Sequence, residues 1–274
     1  MAASTSPEPT ATARPRFGGV SQNRSLERGL EILRAFRPGT DLLGNGELAD
    51  RTGLSAATVS RLTQTLVTGG FLEHDRTARA YRLAAPVLSL GHAMRSASPV
   101  LKAATPLMQE LSLKLKVNVG LAAADRSDMI YLESIRYNRR PSLRTIVAGQ
   151  RVPMELTSLG RAYLATRAAP ERDALLATIR QGYRSATWKP VGAAIEAAMA
   201  KVHAEDYCAA SWQPGIVAMA TPLRLPQGQT LSLNLSLAVD EPVRQVARRY
   251  VRALLALKAA VGRAVALAGP SGPD

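Results

Sequence analysis

The stretch "LADRTGLSAATVSRLTQTLVTGGFLE", Leu48 to Glu73, limits what this chain can fold into more than any other. Two helical patterns meet at Gly53, and a short apolar run follows Gly69-Gly70 ahead of a charged turn. Ala49, Gly53, Val59 and Leu62 stand at offsets 0, 4, 10 and 13. Ala49 must be small where two helices cross closely. Gly53 supplies a left-handed turn. Val59 and Leu62 bury the inner face of a helix expected from about Ala56 to Thr68, with Ser55 as its cap. This is helix-turn-helix spacing, with the second helix of the pair presented outward.

The outward face carries Ala57, Thr58, Ser60, Arg61 and Gln64. Short polar groups with one long cation and one amide suit phosphate anchoring and base-edge reading in a major groove. Ser55 and Thr58, at the helix start, suit phosphates through hydroxyls and free N–H groups. Arg61 and Gln64 suit base edges. The alternative is a plain helical hairpin with a solvated polar face. The next segment, "FLEHDRTARAYRL", bears on that choice. It reads as two short strands around a turn at Asp75–Arg79, with Arg76 and Arg79 at the tip, as in a wing resting on a duplex.

Charge does not settle the matter. The net charge of +14 suits a polyanionic partner. Residues 1–85 contribute only +3 of it, and residues 86–274 contribute +11. Aromatic residues are 4% of the chain, so single-stranded nucleic acid gripped by base stacking is disfavoured. One cysteine, Cys208, excludes an internal disulfide and a Cys-rich zinc site, and it fits a reducing cytoplasm. His74, His92 and His203 have no metal-ligand spacing. No metal or cofactor is expected. The N-terminus lacks the apolar core of a secretory signal. No run of about 18 apolar residues argues for a membrane span.

Residues 1–22 are rich in Ser, Thr, Pro and Ala and are expected to be disordered, as are 269–274. Arg14 and Arg16 either trail onto phosphates or belong to a solvated tail. "SLERGLEILRAF" puts Leu26, Leu30, Leu33 and Phe36 on one helical stripe, with Ser25 as its cap. Pro86 opens another helix. Past Ser98 the pattern changes. A helix from about Val100 to Lys114 precedes strand-like "VNVGLAAA", "DMIYLESI" and "LRTIVAG". "SLGRAYLATRA", "PERDALLATIR" and "GAAIEAAMAKVHA" read as helices, "GIVAMATPL" and "QTLSLNLSLAV" as strands, and Glu241–Ala268 as a long helix. The class is therefore α+β.

"SLERGLEIL", the opening stretch and "YRLAAPVLSLG" resemble the N-terminal domain of IclR-type transcriptional regulators. The likeness continues through "IYLESI", "GQRVPMELTSLGRAYLA" and "PGIVAMATPL", over about residues 24–265. It implies a winged helix-turn-helix domain at 23–84, a linker helix at 85–98, and a GAF-like effector-binding domain at 99–268. It also implies homodimers or homotetramers that bind palindromic operators in double-stranded DNA and respond to a small organic ligand. By resemblance the effector site involves Thr157, Ser158, Gly160, Ala218, Asn234 and Ser236. Ala218 stands where members often have a cysteine, and Trp212 appears in "YCAASWQPG" where acidic residues are usual. A larger aromatic or acyl carboxylate suits these departures. Arg136, Arg139, Arg140 and Arg144 either attract it or form a solvated cluster or subunit contact. Asn234 and Ser236 share a strand face and need partners, from protein, ligand or solvent. Two other functions compete: a constitutive DNA-binding regulator without ligand, and an enzyme built on Ser158, which has no nucleophile-elbow form around it.

Overall fold

A computed structural model describes residues 23–137 and 147–268. The expected tails, most of "LRTIVAG", and Arg139, Arg140 and Arg144 lie outside the described residues. The chain divides into two compact units, one reaching Ala84 (without Arg37–Gly39) and one from Ala85 onward.

The first unit packs helices α1 (Arg24–Ala35), α2 (Asn45–Thr52) and α3 (Ala56–Thr68) with strands β1 (Leu43–Gly44), β2 (Leu72–Asp75) and β3 (Ala80–Leu83). The sheet order is β1-β3-β2, antiparallel throughout. Ile32, Phe36, Leu43, Leu48, Val59 and Leu72 form the core. Two expectations for α1 are corrected. Asn23, not Ser25, is the cap, its Oδ1 accepting from the N–H groups of Ser25 and Leu26. The buried stripe is Gly29, Ile32, Ala35 and Phe36, whereas Leu26 and Leu30 are 62% and 51% exposed. Two apolar stripes overlap on this helix, and the core took the one containing Ile32.

The second unit begins with α4 (Ala85–Ala97) and α5 (Pro99–Leu115). Its sheet comprises β4 (Asn118–Asp125), β5 (Asp128–Ile135), β6 (Arg151–Pro153), β7 (Cys208–Gln213), β8 (Ile216–Arg224) and β9 (Thr230–Ala238). The order is β6-β5-β4-β9-β8-β7, with every pair antiparallel. Helices α6 (Ser158–Leu164), α7 (Ala169–Arg180) and α8 (Ser185–Glu205) lie between β6 and β7, and α9 (Val243–Ala268) closes the chain. Alternation along the strands feeds two cores. Val119, Leu121, Val217, Met219, Leu231, Leu233 and Leu235 face α5 and α9. Ala122, Met129, Tyr131, Cys208 and Ala220 face α6, α7 and α8. The sheet is thus the middle of three layers. Strand β7 had no expectation in the sequence; its small residues give a weak signal.

Gly160 shows how tightly α6 is set down. A Cβ there would lie 2.1 Å from the Met154 carbonyl oxygen and 2.3 Å from its Cα. No flexible side chain can yield, so the backbone would have to move. Gly160→Ala is expected to cost about 1–3 kcal/mol by overpacking. Both tryptophans, Trp188 and Trp212, lie in this unit, so their fluorescence during denaturant unfolding reports it alone. An unchanged midpoint would contradict the close approach.

Candidate nucleic-acid interface and ligand cavity

Helix α3 is held by what lies beneath it. Val59 and Thr63 are buried, and Leu62 and Leu66 pack partly against the core. The Thr63 hydroxyl donates to the Val59 carbonyl at 3.0 Å, so its burial leaves no orphan donor. Gly53 ends α2 at φ 68°, and its N–H donates to the Ala49 carbonyl at 2.8 Å. That left-handed residue fixes the turn into α3. Ser55 caps α3, accepting from the Thr58 N–H, and the two hydroxyls bond at 2.9 Å. Ala57, Ser60, Arg61 and Gln64 are exposed, and Thr58 is half-buried. Thr65 and Thr68 extend the same exposed face. Sequence reasoning missed both, although each stands four residues on from Arg61 or Gln64, a spacing that could have found them.

Beyond α3, the β2–β3 hairpin carries Arg76, Thr77, Ala78 and Arg79, all exposed. Arg79 adopts φ 51° at the end of the turn, which turns the chain into β3. Asp75 organises the tip. Its Oδ1 accepts from the N–H groups of Thr77 at 3.0 Å and Ala78 at 2.9 Å. Its Oδ2 accepts from Arg82 Nη2 at 2.6 Å. These bonds, led by that of Ala78, hold the Asp75 carboxyl below the usual carboxylate range. Arg82 is thereby occupied, while Arg76 and Arg79 stand at the tip.

In the second unit, Thr230, Ser232, Asn234 and Ser236, alternate residues of β9, lie on the strand face toward α6 and carry hydroxyl or amide groups. Ser232 donates to the Leu159 carbonyl at 2.9 Å, which ties β9 to α6. Asn234 is 3% exposed, and its Nδ2 donates to the Tyr131 hydroxyl at 3.3 Å. Its Oδ1 is buried without a protein partner. Burial pushes the Tyr131 hydroxyl up to about 12 despite its bond to Asn234, so it stays protonated. Asn234, Ser236, Tyr131, Ser134, Arg136 and Gln213 line a cavity of about 60 Å³. Its floor includes Gly120, where a Cβ would meet Asn234 Oδ1 and Tyr131 Cε1 at 2.4 Å each. Only glycine leaves room for that amide–phenol pair.

The structure therefore brings Asn234 and Ser236 together with Arg136. Ala218 pairs with Ser236 across β8 and β9 but lies outside the cavity wall. Thr157, Ser158 and Gly160 lie on the same side of the sheet, also outside that wall. Thr157 caps α6, accepting from the Gly160 N–H at 3.2 Å and donating to the Pro153 carbonyl at 2.8 Å. Ser158 Oγ is buried with no partner. Cys208 donates to the Ser158 carbonyl, and burial pushes its thiol up to about 12, so it is an inert core residue. Sequence reasoning missed Tyr131, Ser134 and Gly120 as site residues. Alternation along β5 could not place Ser134, because the β4–β5 register shifts between Leu121 and Ala122 and puts an extra residue ahead of it.

Residues 25–76 match the family model for the IclR helix-turn-helix domain, and residues 92–265 that for the bacterial transcriptional regulator IclR C-terminal domain. An HTH-type transcriptional regulator of Comamonas testosteroni, TsaQ1/TsaQ2, is 37% identical over 167 residues, 60% of this chain and 59% of that protein. The Pca regulon regulatory protein of Pseudomonas putida is 28% identical over 236 residues, 85% of this chain and 80% of that protein. An IclR family transcriptional regulator from Brucella abortus superposes with a TM-score of 0.77 at 32% identity, covering 92% of this chain and 97% of that one. An IclR homolog from Microbacterium hydrocarbonoxydans, complexed with 4-hydroxybenzoate, shares the fold with a TM-score of 0.66 at 18% identity, covering 89% and 99%.

Asp75 makes the wing tip pH-dependent. Its folded carboxyl is held low, so its contribution is complete above the ordinary aspartate value of about 4 and is lost as pH falls through the lowered folded value. The Thr77 and Ala78 amides should lose protection, measured against the intrinsic exchange rate at the same pH, in that acid range and in Asp75→Ala at neutral pH. Amide signals that stay protected in both would remove Asp75 as the organiser.

Proposed function

Because the chain belongs to the IclR family of bacterial transcriptional regulators, we propose that α3 and the wing dock on a duplex operator while the Asn234 cavity takes the effector. The protein is a DNA-binding regulator of transcription, not an enzyme. The observation that carries the docking is the unbroken exposed face from Ala57 through Ser60, Arg61 and Gln64 to Thr68, on a helix whose other face is core. Arg61 and Gln64 read base edges. Ser55 and Thr58 hold phosphate at the start of α3. Arg76 and Arg79 lie along the backbone or minor groove.

The operator is palindromic and the protein a homodimer or homotetramer. Two recognition helices then meet half-sites one turn apart, about 34–36 Å. Apolar side chains support association. Leu26 and Leu30 on α1, and Leu88, Leu90 and Met94 on α4, are all more than half exposed. A second copy covers such surfaces more readily than water does. No described helix is long and apolar enough to cross a membrane, and the cytoplasm is the compartment that a DNA-binding role requires.

The effector is a small organic acid. Arg136 gives its carboxylate a counter-charge, and Asn234 Oδ1 asks for a hydrogen-bond donor, so a hydroxy acid fits both. The Microbacterium relative in complex with 4-hydroxybenzoate makes that compound the first probe. At about 60 Å³ the cavity is small for a benzene ring, so an aromatic acid must displace side chains of the wall. Filling the cavity favours one arrangement of the chain over another and changes the spacing of the recognition helices.

Selection from random duplexes tests the docking. Wild type should recover a two-fold symmetric sequence. Arg61→Ala should weaken it by about 1–3 kcal/mol and relax one position. Arg79→Ala should weaken all duplexes alike and flatten the salt dependence. Recovery of no preferred duplex would end the proposal. For the effector, an acid at 100 times its dissociation constant should stabilise the fold by about 2.7 kcal/mol, and Asn234→Leu should remove that gain. A gain that survives the substitution would place the pocket elsewhere.

A further inference from the structure

We propose that Arg95 of α4 couples the cavity to the DNA-binding unit by gripping a β-bulge at Leu132–Glu133. The inference rests on the effector reading of the cavity above. It adds how occupancy leaves that site.

The β4–β5 ladder pairs Leu121 with Glu133 and Ala122 with Tyr131, so Leu132 has no residue opposite. An extra residue in one strand is left out of the ladder, and the strand bends there. The Leu132 carbonyl accepts instead from Arg95 Nη1. Arg95 Nη2 bonds Glu133 Oε2 at 2.8 Å. The other carboxylate oxygen, Oε1, accepts from the Ser134 N–H at 2.9 Å. One guanidinium thus holds both residues of the bulge, and the Glu133 carboxylate continues the chain of bonds to Ser134.

The bulge also sets which way its neighbours face. Tyr131 and Ser134 are three residues apart, and in a regular strand they would point to opposite sides. With one extra residue between them, both line the cavity. Leu132 packs with the opposite core, among residues of α5 and α9. Four consecutive residues therefore join the cavity on one side of the sheet to α4 on the other. A strand interior transmits little bending, because its ladder bonds resist it. A bulge is where the strand can change shape, and any shift of Tyr131 or Ser134 alters the carbonyl and carboxylate that Arg95 holds. Within one protomer α4 buries none of its side chains, so Arg95 anchors a helix that its own chain otherwise holds loosely. One residue separates α4 from the end of β3, so α4 is the covalent continuation of the wing.

A double-mutant cycle on the full chain tests the coupling without a known effector. Ser236→Leu fills the cavity, and Gly120→Ala pushes on Asn234 and Tyr131 from below; fluorescence unfolding of Trp188 and Trp212 selects the variants that fold. Each is made with Arg95 and with Arg95→Met, and read by affinity for the duplex that wild type selects and by amide exchange over α4. With Arg95 in place, a cavity variant should shift operator affinity by roughly 5- to 150-fold and change exchange near the end of α4. With Arg95→Met the shift should fall below about twofold, the tolerance for independent sites. Equal shifts in both backgrounds would overturn the proposal, because the signal would then travel by another route. No change in affinity or exchange with Arg95 present would overturn it as well. A wild type that selects no duplex would instead sink the docking reading, and α4 exchange would still decide the coupling.

Discussion

The sheet of the second unit has helices against both faces, and that double burial governs what its strands can carry. A strand covered on both sides has nowhere to send a polar group except to a partner. The even positions of β9 resolve this in three ways. Ser232 closes on the Leu159 carbonyl and becomes part of the packing. Asn234 satisfies half its amide on Tyr131 and leaves Oδ1 without a protein partner. Ser236 is half-buried at the cavity wall. Polarity increases along one strand from structural to available. Leucines at 231, 233 and 235 hold the strand in register from the other face, and a one-residue slip would exchange the two sets. The core therefore positions the amide.

The first unit uses the same economy on a helix. Val59 and Thr63 anchor α3, and everything a duplex could touch lies on the far side. The inner face needs few residues because α1 and α2 supply Ile32, Phe36 and Leu48. The wing depends on a single carboxylate: Asp75 takes two backbone N–H groups and one arginine, which leaves the other two arginines of the hairpin free of that duty. Arg79 tolerates a left-handed backbone there because the turn needs one.

Local signals were readable where one residue type fixes one geometry. Gly53 announced the turn, Ser55 the cap, and Gly69-Gly70 the end of α3, because glycine and hydroxyl side chains act within a few residues of themselves. The α1 stripe is ambiguous in sequence because Leu26 and Leu30 are as apolar as Ile32; which stripe is buried depends on α2 and α3, later in the chain. Asn234 and Ser236 stood out as polar residues in a leucine-rich strand. Tyr131 did not, since an aromatic in a strand is ordinary until a partner across two ladders gives it a role. The bulge at Leu132 is invisible in sequence, because a register shift belongs to a pair of strands. Thr157, Ser158 and Gly160 were read as one site from a shared motif. Their backbone roles, capping α6 and admitting Met154, are what the geometry assigns to Thr157 and Gly160.

A connection such as the one proposed between the cavity and α4 must be weak enough to yield. A fully buried ion pair is costly to break, because each charge left behind is unpaired. An exposed one contributes little, about 0–1 kcal/mol. The Arg95–Glu133 pair lies between these limits, with side chains 35% and 13% exposed. Solvent screens the arginine end, so the pair by itself is worth little more than an exposed one. The Leu132 carbonyl adds directionality, since its bond depends on the bulge keeping its shape. A link of this size cannot hold the protein in one state against a ligand. It can tilt a balance whose two arrangements differ by a few kcal/mol, and only a ligand that binds one arrangement better can use it. On the effector reading proposed above, Asn234 Oδ1 supplies that preference, because no protein group partners it and a donor seated in the cavity can bond it.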